Sequence, residues 1–177
     1  MKHVILIGFK SVGKSLVGEN LAVALDRPFI DSDIVLENLY AEGREARLSC
    51  REIMRVEGEE FFRALEHEAL KKVLAETAQT IVAVGGGAPL QEKNAELFKS
   101  HQTVHLTAPK SVVYERIIVN GWPAFFPREV DPYVSFQKIW EERLPSYERL
   151  ATITIENNAP VDDTVNKLII SLNSESV

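Results

Sequence analysis

The 177-residue chain has one cysteine, Cys50, two tryptophans and two methionines. A single cysteine excludes a disulfide framework and any multi-cysteine zinc site within the chain, and it fits a reducing compartment. Basic charge is not in surplus: 20 Lys and Arg stand against 26 Asp and Glu, a formal net charge of −6. A general nucleic-acid binder usually shows the opposite balance. No apolar run approaches the ~20 residues of a membrane span. The run from Val4 to Ile7 is broken at once by Gly8 and Lys10, too soon for the apolar stretch of a signal peptide. The expectation is therefore a cytoplasmic protein that engages neither membrane nor nucleic acid. Repeats and low-complexity tracts are also missing. What is present, 45% hydrophobic and 26% charged residues, suits a single domain with a real core.

Short apolar runs alternate with helical periodicity. Val4 to Ile7 reads as a strand buried on both faces. Lys14 to Leu25 carries an apolar stripe at Val17, Leu21, Ala24 and Leu25, as a helix does. Pro28 to Asp31 reads as a second strand, and Ser32 or Asp33 as the cap of a helix through Leu39. Ala41 to Arg51 is polar and aperiodic. Glu59 to Glu76 is the clearest helix, with Glu68 and Lys72 spaced to pair. Further strands are predicted at Thr80–Val84, Gln102–Leu106 and Thr152–Ile155. Further helices are predicted near 109–118, from Val134 to Leu150, and after Pro160. Val119 to Pro132 reads as a loop. This alternation predicts an α/β fold with a five-stranded parallel sheet and helices on both faces. Ligands then bind beyond the carboxyl ends of the strands.

Gly8-Phe9-Lys10-Ser11-Val12-Gly13-Lys14-Ser15 fits G-x-x-x-x-G-K-[ST], placed between a strand and a helix as its chemistry requires. Backbone N–H groups from Lys10 to Ser15 make an anion nest. The helix N-terminus adds about half a positive charge. Lys14 can reach the β- and γ-phosphates of a nucleotide, and the Ser15 hydroxyl can ligate Mg²⁺. Asp31, ending the second strand, is either a metal-holding carboxylate or a helix cap. Asp33 can cap, or can accept a proton from a substrate hydroxyl. Asn166-Lys167-Leu168-Ile169 begins like a guanine-reading motif, but Ile169 replaces the required aspartate, and the apolar residues suit a helix stripe. A GTPase is thereby disfavoured.

From Lys2 to Leu172 the ordered motifs resemble the shikimate kinase family, small P-loop kinases that phosphorylate the 3-hydroxyl of shikimate with MgATP. The Asp-x-Asp pattern stands at Asp31-Ser32-Asp33. A Gly-Glu-x-x-Phe-Arg-x-x-Glu pattern runs from Gly58 to Glu66. The triple glycine is Gly85-Gly86-Gly87, and Arg-x-Pro-x-Tyr runs from Arg143 to Tyr147. The resemblance implies a P-loop NTPase-type three-layer fold with a mobile lid. The whole chain, 1–177, would be one kinase domain, with a substrate-binding segment near 32–65 and the lid near 116–133. It implies ATP and Mg²⁺, and a small hydroxy acid as partner for a chain acting as a monomer. Asp31 would lie near magnesium and Asp33 would bind and help deprotonate the hydroxyl. Arg63 and Arg143 would clamp the carboxylate, the triple glycine would approach the substrate, and Arg116 and the loop at Pro160 would face adenine. Taken singly, Arg63 and Arg143 read sooner as surface residues; the ordered set of matches reverses that. As a pair, two guanidinium forks suit one carboxylate.

Three departures stand out. Trp122 occupies the place of the family's lid arginine, a group that stabilises transition-state charge. Arg128, six positions on, is the candidate substitute. Gly43 to Arg51 is about four residues longer than the pattern, which places a loop there. Ser11 replaces a glycine common in the phosphate loop. Cys50 falls in the extra segment, with no base to make it a nucleophile. Kinases of the same fold that act on gluconate or a nucleoside, or a nucleotide-binding protein with little catalysis, remain the alternatives.

Overall fold

Every strand of the sheet runs in the same direction, which a chain of short apolar runs joined by helices can satisfy only through crossovers. The computed structural model describes residues 2–45, 47–119, 126 and 129–174. The strands are β1 (Val4–Ile7), β2 (Phe29–Asp31), β3 (Ile81–Ala83), β4 (Gln102–Thr107) and β5 (Ile153–Glu156). They lie in the order β2-β3-β1-β4-β5, all parallel. All four residues of β1 are fully buried, as a central strand covered on both faces must be. The register sets Ile5 beside Val82 on one side and Thr103 on the other.

The helices are α1 (Lys14–Leu25), α2 (Ser32–Ala41), α3 (Cys50–Glu57), α4 (Glu59–Leu74), α5 (Glu92–Phe98), α6 (Lys110–Val119), α7 (Pro132–Leu150) and α8 (Val161–Ser174). The main core spans the sheet and includes Leu21, Leu70, Val113, Phe136 and Leu168. Phe126 also reaches into it. A separate small core joins Leu36 and Tyr40 of α2, Ile53 of α3, and Phe62 and Ala69 of α4. The segment that precedes α4 is thus a packed unit of its own beside the sheet. No described helix is long and apolar enough to cross a membrane.

Several sequence expectations need correction. The cap of α2 is Asp31, whose Oδ1 accepts from the Asp33 N–H at 3.0 Å, rather than Ser32 or Asp33. The polar stretch after Ala41 gives way to α3, started by a capping box in which Ser49 and Glu52 exchange hydrogen bonds. That S-x-x-E signal was legible. A short 3₁₀ turn (Ala88–Leu90) and α5 were also not predicted. Two turns of helix carry too little periodicity to stand out. Asp131 caps α7 by accepting from the N–H groups of Tyr133 and Val134, so this helix starts at Pro132, two residues before expectation. Glu68 pairs with Lys71 at 3.2 Å, leaving Lys72 to reach Glu42 of α2's C-cap at 3.6 Å.

Candidate active site

The strand order places the carboxyl ends of β1 and β3 side by side, and the two glycine-rich loops emerge there. The loop expected to hold phosphate turns from β1 into α1 with Gly13 at φ +104° and Ser11 at φ +62°. The first is free to a glycine; the second costs a residue with a Cβ about 1 kcal/mol or more. Lys14 Nζ donates to the carbonyls of Gly8 at 2.9 Å and Phe9 at 2.8 Å, arching over the loop. Burial pulls its pKa down to about 8, against the attraction of Asp33 and Asp31. It remains mostly protonated at neutral pH. Lys10 is exposed and Val12 is buried at the loop's base.

Asp31 is the helix cap, one of its two expected readings, and it also meets Ser15. Its Oδ1 caps α2, while Oδ2 accepts from the Ser15 hydroxyl at 2.8 Å. Two hard oxygens at the mouth of an anion nest suit Mg²⁺, which binds through few protein ligands and completes its shell with water and phosphate. Among the described residues no group of three or more His, Cys, Asp or Glu side chains is arranged to hold a metal by itself.

The triple glycine follows β3, and each of its residues faces one predicted side chain. A Cβ on Gly85 would stand 2.8 Å from Asp33 Oδ1 and 3.4 Å from Glu66 Oε1. One on Gly86 would stand 3.6 Å from Arg143 Nη1 and 3.4 Å from the Gly8 carbonyl of the phosphate loop. One on Gly87 would stand 2.7 Å from both Nη atoms of Arg63. Close approach is what requires glycine here. Asp33, Arg143 and Arg63 come from α2, α7 and α4, so three separate elements converge on one loop. Burial, reinforced by Asp31, pushes Asp33 up to about 6.

Arg63 is held by a residue whose role the sequence hid. Its Nη1 donates to both oxygens of Glu66, at 3.1 and 3.0 Å, and Glu66 is only 3% exposed. Burial pushes the Glu66 pKa up while Arg63 draws it down. On a helix, Arg63 and Glu66 at i,i+3 look like a solvent-side pair; only the loop across from them makes the pair internal. Arg63 Nε is buried with no hydrogen-bond partner among the described residues, 3.5 Å from Glu59.

On the far side of the phosphate loop, the Val12 carbonyl accepts from Arg116 Nη1 at 3.4 Å and from Asn157 Nδ2 at 2.8 Å. Arg116 is thus brought to the loop. The segment ending at Pro160 reaches the loop through Asn157, whose Oδ1 accepts from Thr164. Pro160 itself stands before α8, its carbonyl accepting from Asp163 and Thr164. Trp122 and Arg128 lie outside the described residues, as do residues 120–125, 127 and 128 of the expected lid.

The model of the shikimate kinase family matches residues 10–173 of the chain. The chain belongs to the shikimate kinase family. A shikimate kinase from Francisella tularensis subsp. holarctica is 33% identical over 178 residues, covering 99% of this chain and 97% of that protein. A bifunctional shikimate kinase/3-dehydroquinate synthase from Thermotoga maritima is 34% identical over 164 residues. The match covers 87% of this chain but only 32% of that longer protein. Among solved structures, a shikimate kinase from Acinetobacter baumannii in complex with shikimate superposes with a TM-score of 0.86 at 27% identity. That match covers 100% of this chain and 96% of the other. Family membership makes the chain a phosphotransferase of the alcohol-phosphorylating kind.

Cys50 lies at the edge of this site. Its thiol is 3.5 Å from the Asp33 carbonyl, and burial with the nearby acids pushes its pKa well above the usual thiol range. Such a thiol is a poor nucleophile.

Proposed function

We propose that the protein transfers the γ-phosphoryl group of ATP to the 3-hydroxyl of shikimate, releasing ADP. The observation that carries this reading is the convergence of Asp33, Arg143 and Arg63 on Gly85, Gly86 and Gly87, beside the phosphate loop. One carboxylate base and two guanidinium groups around a bare backbone suit a compact acid bearing hydroxyls.

The nest from Lys10 to Ser15 holds the phosphates, and Lys14 exchanges its carbonyl partners for their oxygens. Ser15 and Asp31 hold Mg²⁺, which neutralises phosphate charge. Arg63, braced by Glu66, and Arg143 bind the acceptor's carboxylate and turn its hydroxyl toward Asp33. Asp33 takes the hydroxyl proton as the oxygen–phosphorus bond forms and the bond to ADP breaks. A carboxylate raised to about 6 is a stronger base than an ordinary one and still ionised at neutral pH. Arg116 and the loop through Asn157 and Pro160 flank the nucleotide base. Most of the rate gain comes from positioning and charge stabilisation.

A coupled steady-state assay with MgATP and shikimate tests the reading, with gluconate and nucleosides as comparison acceptors and Arg63→Ala as control. Shikimate-dependent ADP release, weakened in the variant chiefly through a higher acceptor KM, is expected. Release that responds to another acceptor and not to shikimate would refute it.

A further inference from the structure

Tyr147 joins the two halves of the site. It is completely buried in α7, one turn after Arg143. Its hydroxyl donates to the Gly86 carbonyl at 2.6 Å. The Arg143 guanidinium stands against the same glycine, 3.6 Å from where a Gly86 Cβ would lie, and, against the larger effect of burial, its charge draws the phenol pKa down. The hydroxyl proton is committed to Gly86, so the phenol can meet the guanidinium only through its oxygen. Burial pushes the phenol pKa up to about 12, so this donor keeps its proton throughout the working pH range. The ring meets Phe9 of the phosphate loop edge-on, with centroids 5.7 Å apart, and Phe9 stacks on Trp140 at 4.6 Å. The Phe9 carbonyl is in turn one of the two that hold Lys14. One side chain therefore touches the arginine, the middle glycine and the nucleotide-binding loop.

We propose that Tyr147 is a positioning residue that sets Arg143 and Gly86 for the acceptor and ties them to the phosphate loop. The proposal rests on the reading of the site given above. Removing the hydroxyl keeps the ring packing against Phe9 but takes away the Gly86 carbonyl's phenol donor and one polar neighbour of Arg143. The acceptor's carboxylate then meets a less fixed guanidinium, while the nest from Lys10 to Ser15 is unchanged.

The test uses Tyr147→Phe in the full chain. The acceptor KM should rise ~10-fold, the effect of weakening one hydrogen bond to a charged group. The KM for ATP should stay within about twofold, because the phosphate contacts are intact. In an Arg143→Ala background the same substitution should add less than about twofold to the acceptor KM, since the arginine it positions is gone. A merely structural role would lower thermal stability and active fraction without splitting the two KM values. Equal changes in both KM values, or full additivity with Arg143→Ala, would overturn the proposal. If the unsubstituted protein turned over no shikimate, the acceptor assignment would fall. An urea-unfolding cycle on the same four proteins would then read the Arg143–Tyr147 contact without ligand, and additivity there would overturn the coupling.

Discussion

Replacing Asp33 by asparagine should give a protein that is more stable and catalytically silent. The carboxylate sits beneath Gly85, next to Asp31, and its pKa is raised from 3.8 to about 6. At pH 7 the folded state therefore carries a charge that costs more there than in the unfolded chain. Two pKa units correspond to about 3 kcal/mol. The side chain is half-open to the cleft, and water there trims the cost, so a gain of about 1–3 kcal/mol is expected. Asparagine has the same shape and leaves the Asp33 N–H bond to Asp31 in place. The sign with pH follows from linkage. Between pH 3.8 and about 6 the folded state holds a proton that the unfolded state has lost. The native protein therefore recovers stability as pH falls through that window. The advantage of the variant should be full above pH 6 and shrink toward pH 4. Urea unfolding of both proteins at pH 7.5, 6 and 4.5 measures it, and the coupled assay should show kcat lowered by about 10²–10⁴. An asparagine variant less stable than its parent at pH 7.5, or a gap that does not narrow in acid, would refute the reasoning.

His105 should act with the opposite sign. It is 4% exposed with Nδ1 unpartnered among the described residues, and burial, with Lys14 nearby, lowers its pKa from 6.5 to about 4. It should remove about 3 kcal/mol of stability as pH falls from 6.5 to 4; His105→Leu should flatten that slope in urea titrations. Gly87→Ala would place a methyl group 2.7 Å from the Arg63 Nη atoms. The acceptor KM should rise at least 10-fold with the ATP KM little changed, because a single displaced guanidinium contact to carboxylate is worth about 1.5–3 kcal/mol. Ser11→Gly should raise stability by about 0.5–1 kcal/mol by relieving a left-handed serine, read as a higher urea midpoint. Trp122→Arg should raise kcat in the coupled assay by supplying the charge that the indole lacks; an unchanged kcat would show that another group already meets this need.

The −6 net charge is consistent with a site for anions. Glu59, Glu60, Glu141 and Glu142 lie on exposed helix surfaces, whereas Lys14, Arg63 and Arg143 gather around the triple glycine and the phosphate loop. Charge summed over a chain says little about the potential inside one cleft.

The amino-acid sequence by itself determined what depends on neighbours along the chain. The turn from Gly8 to Ser15 is eight consecutive residues set by local backbone geometry, with positive φ at Gly8, Ser11 and Gly13, so its place between strand and helix was readable outright. Strand and helix periods reported the parallel sheet for the same reason, because burial on both faces leaves an unbroken apolar run. The capping box at Ser49 and Glu52 was equally local, though it is outweighed by the polar residues around it. Only the tertiary structure decided which long-range partners meet. Glu66 became an internal brace because the triple glycine covers it. Asp31 serves cap and Ser15 together because β2 ends beside α1. Tyr147 links Arg143, Gly86 and Phe9 because α7 crosses over two loops that the strand order β2-β3-β1 brings side by side. Residues distant along the chain carry no periodic trace of such contacts; their meeting is fixed by sheet order and crossover.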